Sequence, residues 1–491
     1  MIDQRRQNTI DSIVRHACDV FRGVCAPSES KDFLLAMLLL KFISDLDQKH
    51  LGQSDKSIAS MCFVVPADTD FYSLHAARLQ SSNGLRLNKA FHEIEKANDE
   101  LLQGVFHNIN FDAMVLGSTE QKDRVLRQLL EAFNTAALDF RADQENLEEA
   151  FAYACDSIIR YVAEISGRRG GMFLTPPEIS LLLARLMQPK EGDTICDPCC
   201  GSGSLLITCS QQMRKSSDRG RGVLYGQEKD GSIWGLAKMN MILHGETQHQ
   251  LEWGDTLRAP KLLSADGSLM KFDIVVSSPP FSLRDWGHDE AERDIHRRYW
   301  RGVPPRAAGD YAFISHMVET LKPKTGRMAA VVSLGVLFRG GGERQIRKHL
   351  LQENLIDAVI ALPAKMFSNT GIQVAILVVR QNKTDDSVLF IDASRSYQHG
   401  KTQNVLCQAD LNLIESTCHT RHDKRNYARL VTQAEIAAND YNLSVARYVD
   451  TIEDEEEVDL MALRTERGLL QAELAGLEAK LASLLQEINN A

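Results

Sequence analysis

Residues 194–207 read TICDPCCGSGSLLI, and this stretch decides the fold class. A short strand-forming run ends at Cys196, two glycines follow at positions 201 and 203, and an apolar run then opens a helix. Glycine lets the main chain approach a ligand closely, and the first N–H groups of a helix can bind polar or anionic groups. The third glycine of the dinucleotide fingerprint is absent, which disfavours a pyrophosphate ligand. The stretch therefore predicts the first strand–turn–helix unit of an α/β sheet.

The same alternation continues along the middle of the chain. After Gly167, short apolar runs rich in β-branched residues alternate with helical stretches. The predicted strands are 194–196, 223–225, 274–276, 329–334, 358–362 and 374–379, and 388–391 can extend the set. Such alternation predicts a doubly wound α/β sheet covered by helices on both faces.

The two ends of the chain have a different texture. Helical periodicity dominates up to residue 166, and we find no cluster of polar groups there that indicates chemistry, so the expected role is packing. Residues 453–457 form an acidic run, and apolar residues beyond it recur mostly in steps of three and four: Leu463, Leu470, Leu474, Leu477, Leu481, Leu484 and Ile488. This heptad seam predicts a helix that pairs with a partner helix or with itself. The predicted domains are residues 1–166 (helical), 167–450 (α/β and catalytic) and 451–491 (acidic hinge and heptad helix).

Composition is that of an ordinary globular protein, with 44% hydrophobic and 25% charged residues. The longest apolar stretch, residues 33–40, is too short to span a bilayer, and the N-terminal stretch MIDQRRQNTID has no apolar signal-peptide core. We therefore expect a cytoplasmic protein without a membrane segment. The ten cysteines are scattered and do not form two pairs at zinc-site spacing, so no metal is expected.

Two acidic residues stand at later strand ends. Glu228 closes the second predicted strand, and Asp255 follows the next segment. A carboxylate at the first of these positions can hold two ribose hydroxyls, and Asp255 could accept a hydrogen bond from an adenine amino group. With the glycine loop, these residues predict a nucleoside pocket along the carboxyl edge of the sheet. A nicotinamide oxidoreductase would use the same sheet and Glu228, and a set of surface turns also fits.

The fourth predicted strand ends in a rigid polar corner, FDIVVSSPPF, residues 272–281. The side-chain oxygen of Ser278 and the carbonyl of Pro279 could accept the two N–H bonds of an exocyclic amine. That would favour tetrahedral geometry at nitrogen and direct its lone pair to an electrophilic methyl group. Pro280 stiffens the corner, and Phe281 could stack on a base extruded from a duplex. An oxidoreductase would have no use for this motif.

These motifs resemble a known family. Asp197–Gly203 (DPCCGSG) and Ser278–Phe281 (SPPF) resemble motifs I and IV of S-adenosylmethionine-dependent DNA amino-methyltransferases. Over most of its length the chain is similar to the modification (methylase) subunit of type I restriction-modification systems. Further similar segments are Gly171–Glu178, Gly309–Phe313, Gly335–Gly341 and Lys41–Asp45. The resemblance implies a class I methyltransferase-type sheet, an all-helical N-terminal domain, a helical tail and site-specific methylation of adenine N6 in DNA.

The resemblance also implies the site residues. The implied catalytic residues are Ser278, Pro279, Pro280 and Phe281. The implied residues of the methyl-donor pocket are Met172, Phe173, Leu174, Thr175, Pro176, Pro177, Asp197, Gly201, Ser202, Gly203, Ser204, Glu228 and Asp255. The implied methyl donor is S-adenosyl-L-methionine, with no metal.

One residue departs from the family pattern. Adenine-specific members usually carry Asn at the position of Ser278, whereas serine is common there in cytosine-N4 methyltransferases. Serine offers an oxygen acceptor on a shorter arm and no amide group. Whole-chain resemblance favours adenine N6, while cytosine N4 and a catalytically weakened binding subunit stay open.

Target recognition has no sizeable segment of its own in this chain. A net charge of −10 is unfavourable for a protein that holds DNA alone. The resemblance accounts for both observations, because it implies a separate specificity subunit that binds two methylase subunits and that a restriction (translocase) subunit can join. Residues 293–301 are basic with interleaved aromatics, which fits either contact with the DNA backbone or a solvated, charged helix.

Overall fold

The computed structural model describes residues 4–50, 63–107, 109–141, 147–166, 175–216, 222–246, 248–367, 371–400, 403–450 and 460–489. The chain divides into two compact units, Met1–Val449 and Asp450–Ala491. No helix of the described ranges is both long enough and apolar enough to cross a bilayer.

The larger unit begins with a bundle of helices. They are α1 (Gln4–Val20), α2 (Pro27–His50), α3 (Phe71–Ala76), α4 (Asn83–Ala97), α5 (Asp99–Leu102), α6 (Thr119–Phe133) and α7 (Leu147–Ser166). α2 is strongly apolar, and Leu34, Met37, Leu38 and Leu40 are fully buried. Helices α1, α6 and α7 pack against α2, so its apolar surface forms the centre of the bundle. The predicted helical N-terminal region is confirmed.

This bundle also buries an ion pair. Lys41 and Asp45 lie one turn apart on α2 and pair with side-chain exposures of 1% and 0%. Asp45 also accepts hydrogen bonds from the Tyr72 hydroxyl at 2.5 Å and from the Phe140 N–H at 2.9 Å. The pair therefore ties α2 to α3 and to the segment that follows α6.

Removing one partner of this pair is expected to be costly. Asp45→Ala should lower the free energy of unfolding by about 3–5 kcal/mol, because it leaves the Lys41 ammonium buried without a counter-ion. Denaturant unfolding followed by circular dichroism measures the change. Glu93→Ala is the matched control, since Glu93 pairs with Lys89 at 3.7 Å on the surface, and it should cost less than about 0.5 kcal/mol. Equal losses of unfolding free energy for the two variants would show that the buried pair stabilises the fold no more than the surface pair does.

The rest of the larger unit is an α/β sheet. Its strands are β1 (Thr194–Asp197), β2 (Val223–Glu228), β3 (His249–Trp253), β4 (Ile274–Ser277), β5 (Arg327–Ser333), β6 (Ile356–Ala361), β7 (Val374–Arg380), β8 (Ser387–Asp392) and β11 (Ala428–Thr432), while β9 (Gln398–His399) and β10 (Asn404–Val405) form a separate pair. The nine-stranded sheet has the order β11-β8-β6-β7-β5-β4-β1-β2-β3. Strands β1 to β5 are parallel, and β7 lies antiparallel between β5 and β6.

Helices connect and cover these strands. They are α8 (Pro177–Met187), α9 (Ser204–Ser216), α10 (Gly231–Leu243), α11 (His288–Ala291), α12 (Asp310–Glu319), α13 (Gly342–Gln352), α14 (Gln408–Thr420) and α15 (Gln433–Ala438). Buried side chains form a hydrophobic core on each face of the sheet. The predicted doubly wound α/β class is confirmed, with β7 and β11 as antiparallel members that make the sheet mixed.

The order of the strands reverses beside β1. This strand lies between β2 and β4, with Ile195 opposite both Leu224 and Ile274. In open α/β sheets, ligands bind at the carboxyl ends of the strands where the order reverses. The segments that follow β1, β2, β3 and β4 all leave the sheet at this edge, because the four strands are parallel.

The smaller unit contains one long helix, α16 (Leu460–Asn489). The heptad leucines Leu470, Leu474, Leu477 and Leu481 are each 56–58% exposed. Its proposed role in pairing remains a prediction, and so do the two domain boundaries at 166/167 and 450/451.

Candidate active site

Asp197 connects the glycine loop to the neighbouring strand β4. This residue ends β1 and is 2% exposed. Its Oδ1 accepts hydrogen bonds from the Cys199 N–H at 2.9 Å and from the Ser277 hydroxyl at 2.7 Å. Ser277 ends β4 and directly precedes Ser278, so Asp197 links the loop after β1 to the corner after β4. Burial raises the pKa of Asp197 to about 7.

Both glycines of the loop have backbone angles that favour glycine, and a side chain at position 203 would also contact α10. Gly201 and Gly203 have φ angles of +54° and +77°, in the left-handed region where glycine is favoured. A Cβ at position 203 would lie 2.8 Å from the Met241 side chain, so the loop packs directly against α10. A Cβ at position 201 would meet nothing within 4 Å among the described residues. The Ser202 carbonyl accepts from the Asn240 amide at 3.0 Å, and the Ser202 and Ser204 hydroxyls are 3.1 Å apart.

Glu228 ends β2 with both carboxylate oxygens on main-chain donors. The Gly201 N–H donates to Oε2 at 3.0 Å, and the Asp230 N–H donates to Oε1 at 2.8 Å. Burial raises the pKa of Glu228 above its ordinary value. Each carboxylate oxygen has a further lone pair, so this fixed group can still accept hydrogen bonds from hydroxyls.

Asp255 lies two residues beyond β3 and is held as an anion. Burial alone would raise its pKa, but the Lys229 ammonium at 2.8 Å and the N–H groups of Leu257 and Arg258 at 3.0 and 3.2 Å lower it below the ordinary value. One oxygen therefore faces the main chain and the other faces Lys229. An amino group from a ligand would share the Lys229 side.

The corner after β4 carries a buried acceptor. The Ser278 Oγ is buried and has no hydrogen-bond partner among the described residues. Pro279 is buried beside it, and Pro280 and Phe281 are half-buried. A buried hydroxyl without a partner is costly, so such an atom indicates a place where another molecule supplies a donor.

An aromatic pair closes one side of this corner. The rings of Phe281 and Phe367 lie edge to face, with centroids 5.5 Å apart at an interplanar angle of 90°. Strands β5 and β6 both lie antiparallel to β7, so β6 runs in the same direction as β5 and β4. Phe367, which follows β6, therefore lies at the same edge of the sheet as Phe281. Such a geometry suits an aromatic wall for a flat ring.

The comparisons with known proteins agree on the class. The family model described as "N-6 DNA Methylase" matches residues 146–457, and the model of the HsdM N-terminal domain matches residues 10–133. This chain belongs to the N-6 DNA methylase family. Among curated relatives, the type I restriction enzyme MpnII methylase subunit of Mycoplasma pneumoniae is 28% identical, over 98% of this chain and 97% of its own. The MjaVIII methylase subunit of Methanocaldococcus jannaschii is 32% identical, over 82% of this chain and 69% of its own.

A solved structure gives the same result for the fold. The type I restriction-modification methyltransferase subunit from Streptococcus thermophilus superposes with a TM-score of 0.76 at 28% identity, over 90% of this chain and 100% of its own. The predicted methyltransferase-type sheet with an N-terminal helical region is therefore confirmed. The alternative of a nicotinamide oxidoreductase is not supported.

The structure of this N-6 DNA methylase brings most of the predicted site residues to one edge of the sheet. The exceptions concern the segment before α8. Met172, Phe173 and Leu174 lie outside the described residues. Thr175 is half-buried, Pro176 is buried and Pro177 is the exposed first residue of α8. Helix α8 packs against α9, the helix that the glycine loop opens. Among the described residues, no group of histidine, cysteine, aspartate or glutamate side chains could hold a metal ion.

Three contacts around the candidate site were not predicted from the sequence. Asp310, 4% exposed, accepts from the Ser282 N–H at 3.3 Å and from the Ser333 hydroxyl at 3.2 Å. It thereby holds Ser282, which has a φ of +53° directly after Phe281. Phe367 and the Ser277–Asp197 bond were also missed. The available signal was position: Asp310 lies in a family-like segment, and Phe367 comes shortly after a predicted strand.

The basic segment 293–301 is not the solvated, charged helix that was one interpretation of it, and its contact with the DNA backbone stays a prediction. It is neither helical nor uniformly solvated. Arg298 is 3% exposed and donates to the carbonyls of residues 256–257 at 3.0 and 2.7 Å, which holds the loop after Asp255. Arg301 is 5% exposed and pairs with Glu353 at 2.6 Å. These two arginines are structural because the fold buries them against acceptors, and only the exposed positions of the segment remain available to DNA.

Proposed function

We propose that this chain is the methylase subunit of a type I restriction-modification system and transfers a methyl group from S-adenosyl-L-methionine to adenine N6 in DNA. The observation that carries the proposal is the Ser277–Asp197 hydrogen bond of 2.7 Å. It joins the corner after β4 to the glycine loop, which supports a donor site and a target site that face each other across one edge of the sheet.

The residues present fit the methyl donor. The loop Gly201–Ser204 would approach it closely, and Glu228 would accept hydrogen bonds from the two ribose hydroxyls. Asp255 would accept one from the adenine amino group, and Asp197 would shape the loop from behind. Thr175, Pro176 and Pro177 would complete the wall, and residues 172–174, outside the described residues, keep the role in the donor pocket that the family resemblance implies. When bound, the donor supplies an electrophilic methyl group.

The corner would prepare the nucleophile. The lone pair of an exocyclic amine is delocalised into the base ring, which makes the nitrogen a poor nucleophile. Ser278 Oγ and the Pro279 carbonyl would accept its two N–H bonds and favour tetrahedral geometry, which frees the lone pair. Phe281 and Phe367 would stack on or beside a base rotated out of the helix. The Ser278 Oγ, for which the described part of the chain offers no partner, supports this role.

The target base follows from the family rather than from Ser278. The matched family model is that of N-6 methylases, which favours adenine over the cytosine-N4 alternative suggested by serine. The experiment incubates the chain and its specificity subunit with DNA and isotope-labelled donor, then digests the DNA to nucleosides for mass spectrometry. Labelled N6-methyladenine supports the proposal, labelled N4-methylcytosine replaces the target, and no label in DNA leaves only the weakened binding subunit.

The proposed partners are DNA and a separate specificity subunit, with two methylase subunits on each specificity subunit and a restriction subunit able to join. A cytoplasmic location is part of the proposal. The exposed heptad leucines of α16 support docking on a helix of the specificity subunit, because such a row of apolar side chains is stabilised by a partner.

Activity is therefore expected to depend on the specificity subunit. The chain alone should bind the donor yet methylate DNA at least about tenfold more slowly than with that subunit, since the net charge of −10 opposes unaided DNA binding. The double variant Leu474→Glu/Leu481→Glu should lose the stimulation and keep donor binding. Labelled-donor incorporation and calorimetry measure the two quantities.

The control for this experiment is Ala475→Glu/Ala482→Glu, which adds the same two carboxylates at exposed positions of α16 outside the leucine seam. It should be stimulated like the unmodified chain. Full activity of the chain alone would contradict the proposal, and dimerisation of the chain through α16 would assign the heptad seam to self-pairing.

A further inference from the structure

A buried lysine of the helical bundle contacts the turn that follows β2. Lys31 lies in the second turn of α2 with a side chain 3% exposed, and its Nζ lies 2.9 Å from Asp230 Oδ2. Asp230 belongs to the turn between β2 and α10, 199 residues further along the chain. A buried ammonium needs acceptors. Lys31 Nζ also lies 3.5 Å from Asp32 Oδ1, so Asp230 is the nearer of these two carboxylates and the one that joins α2 to the turn after β2.

Asp230 in turn helps to hold Glu228. Its N–H donates to Glu228 Oε1 at 2.8 Å, while its Oδ1 caps α10 by accepting from the N–H groups of Ser232 and Ile233 at 3.0 and 3.1 Å. Its other carboxylate oxygen, Oδ2, pairs with Lys31. The position of the Asp230 main chain, and with it one of the two donors to Glu228, therefore depends on a residue of the N-terminal bundle.

Packing makes this connection stiff. Ile233, Leu236, Met239 and Ile242 of α10 belong to the same buried cluster as the core of the helical bundle. The main chain of α10 also approaches the bundle closely, because a Cβ at Gly235 would lie 2.9 Å from the Val105 carbonyl. Helix α10 and its cap are therefore held against the bundle.

We propose that Lys31 is a positioning residue for the methyl donor, acting through Asp230 on the carboxylate of Glu228. This inference rests on the proposed function, because it requires Glu228 to hold the ribose hydroxyls. It gives the N-terminal bundle a role in donor affinity in addition to packing. Its signature is specific: loss of Lys31 weakens binding through the ribose hydroxyls and not through the rest of the donor.

The test measures donor affinity of the full chain by calorimetry, with S-adenosylmethionine and with an analogue whose ribose lacks the 2′-hydroxyl. Lys31→Met is expected to raise the Kd for the donor roughly three- to tenfold and to change the Kd for the analogue clearly less. Lys31→Arg should restore most of the affinity. Lys89→Met, which removes an exposed lysine of the same bundle, should change neither Kd.

Asp230→Asn removes the same ion pair from its other side, so the test still works if Lys31→Met folds poorly. Asparagine is as good a helix cap as aspartate, so this variant keeps α10 capped and removes the ion pair. It should raise the donor Kd as Lys31→Met does, and the double variant should be no worse than either single variant.

The outcomes separate this inference from the proposed function. If the unmodified chain binds no donor, the proposed function fails and the inference with it. If the unmodified chain binds and Lys31→Met binds equally well, only the inference fails. It also fails if donor and analogue lose affinity by the same factor, or if the two substitutions add, since either result means a general structural effect.

Discussion

Replacing Ser278 by alanine is expected to lower kcat for DNA methylation about 100- to 1000-fold, the range measured for loss of one preorganised hydrogen-bonding group in an active site. The physical reason is the buried Oγ, which lacks a partner among the described residues and would accept an N–H of the target amine. Because the hydroxyl acts on the amine, the Kd for S-adenosylmethionine should stay within about twofold. Single-turnover methylation with the specificity subunit measures the first quantity, and calorimetry measures the second.

The matched control for this prediction is Ser282→Ala on the same turn. Ser282 is exposed and contributes its main-chain N–H to Asp310. The alanine keeps that bond, so kcat should remain near the unmodified value. Ser278→Asn adds information, since asparagine is the usual residue of adenine-specific relatives and offers a carbonyl acceptor. An active Ser278→Ala variant would remove the hydroxyl from the mechanism.

Glu228→Gln is expected to raise the Kd for the donor about 100-fold, which corresponds to about 2.7 kcal/mol. Both carboxylate oxygens already accept main-chain N–H bonds, from Gly201 at 3.0 Å and from Asp230 at 2.8 Å. The amide of glutamine would turn an NH₂ group toward one of these N–H donors, so the side chain must rotate away from the position that serves the ribose. A buried polar site that loses its acceptor discriminates strongly against the ligand.

Calorimetry with the full chain measures this change. Glu252→Gln serves as the control, because Glu252 lies on β3 and contacts the exposed side chain of Gln250. Its Kd should match that of the unmodified chain. Unchanged donor affinity in Glu228→Gln would place the ribose elsewhere and would also remove the basis for the role of Lys31.

Local sequence determined much of this molecule. A strand, a glycine turn and a helix are built from neighbouring residues, so the stretch 194–207 is sufficient to predict β1, the loop and the start of α9. The proline corner after β4 is local in the same sense, since proline ends a strand wherever it stands. Parallel strands then bring their ends to one edge. The sequence is therefore sufficient to predict that the proposed donor and target residues lie near each other.

Only the tertiary structure decided which distant residues meet these local units. Lys31 pairs with Asp230, Phe367 faces Phe281, and Asp310 holds Ser282. The buried pair Lys41–Asp45 lies in the region where the sequence indicated packing alone. Arg298 and Arg301, which look like surface charge in the sequence, are buried against acceptors.

The physical reason is that periodicity reports which face of an element is buried, not what lies opposite. A charged side chain has the same pattern in sequence whether it meets solvent, DNA or a buried carboxylate. Burial and partner choice are set by packing between elements that are far apart in the chain, as between α2 and the cap of α10. The sequence alone therefore determined the chemistry available at the sheet edge, and the fold decided which side chains hold that chemistry in place.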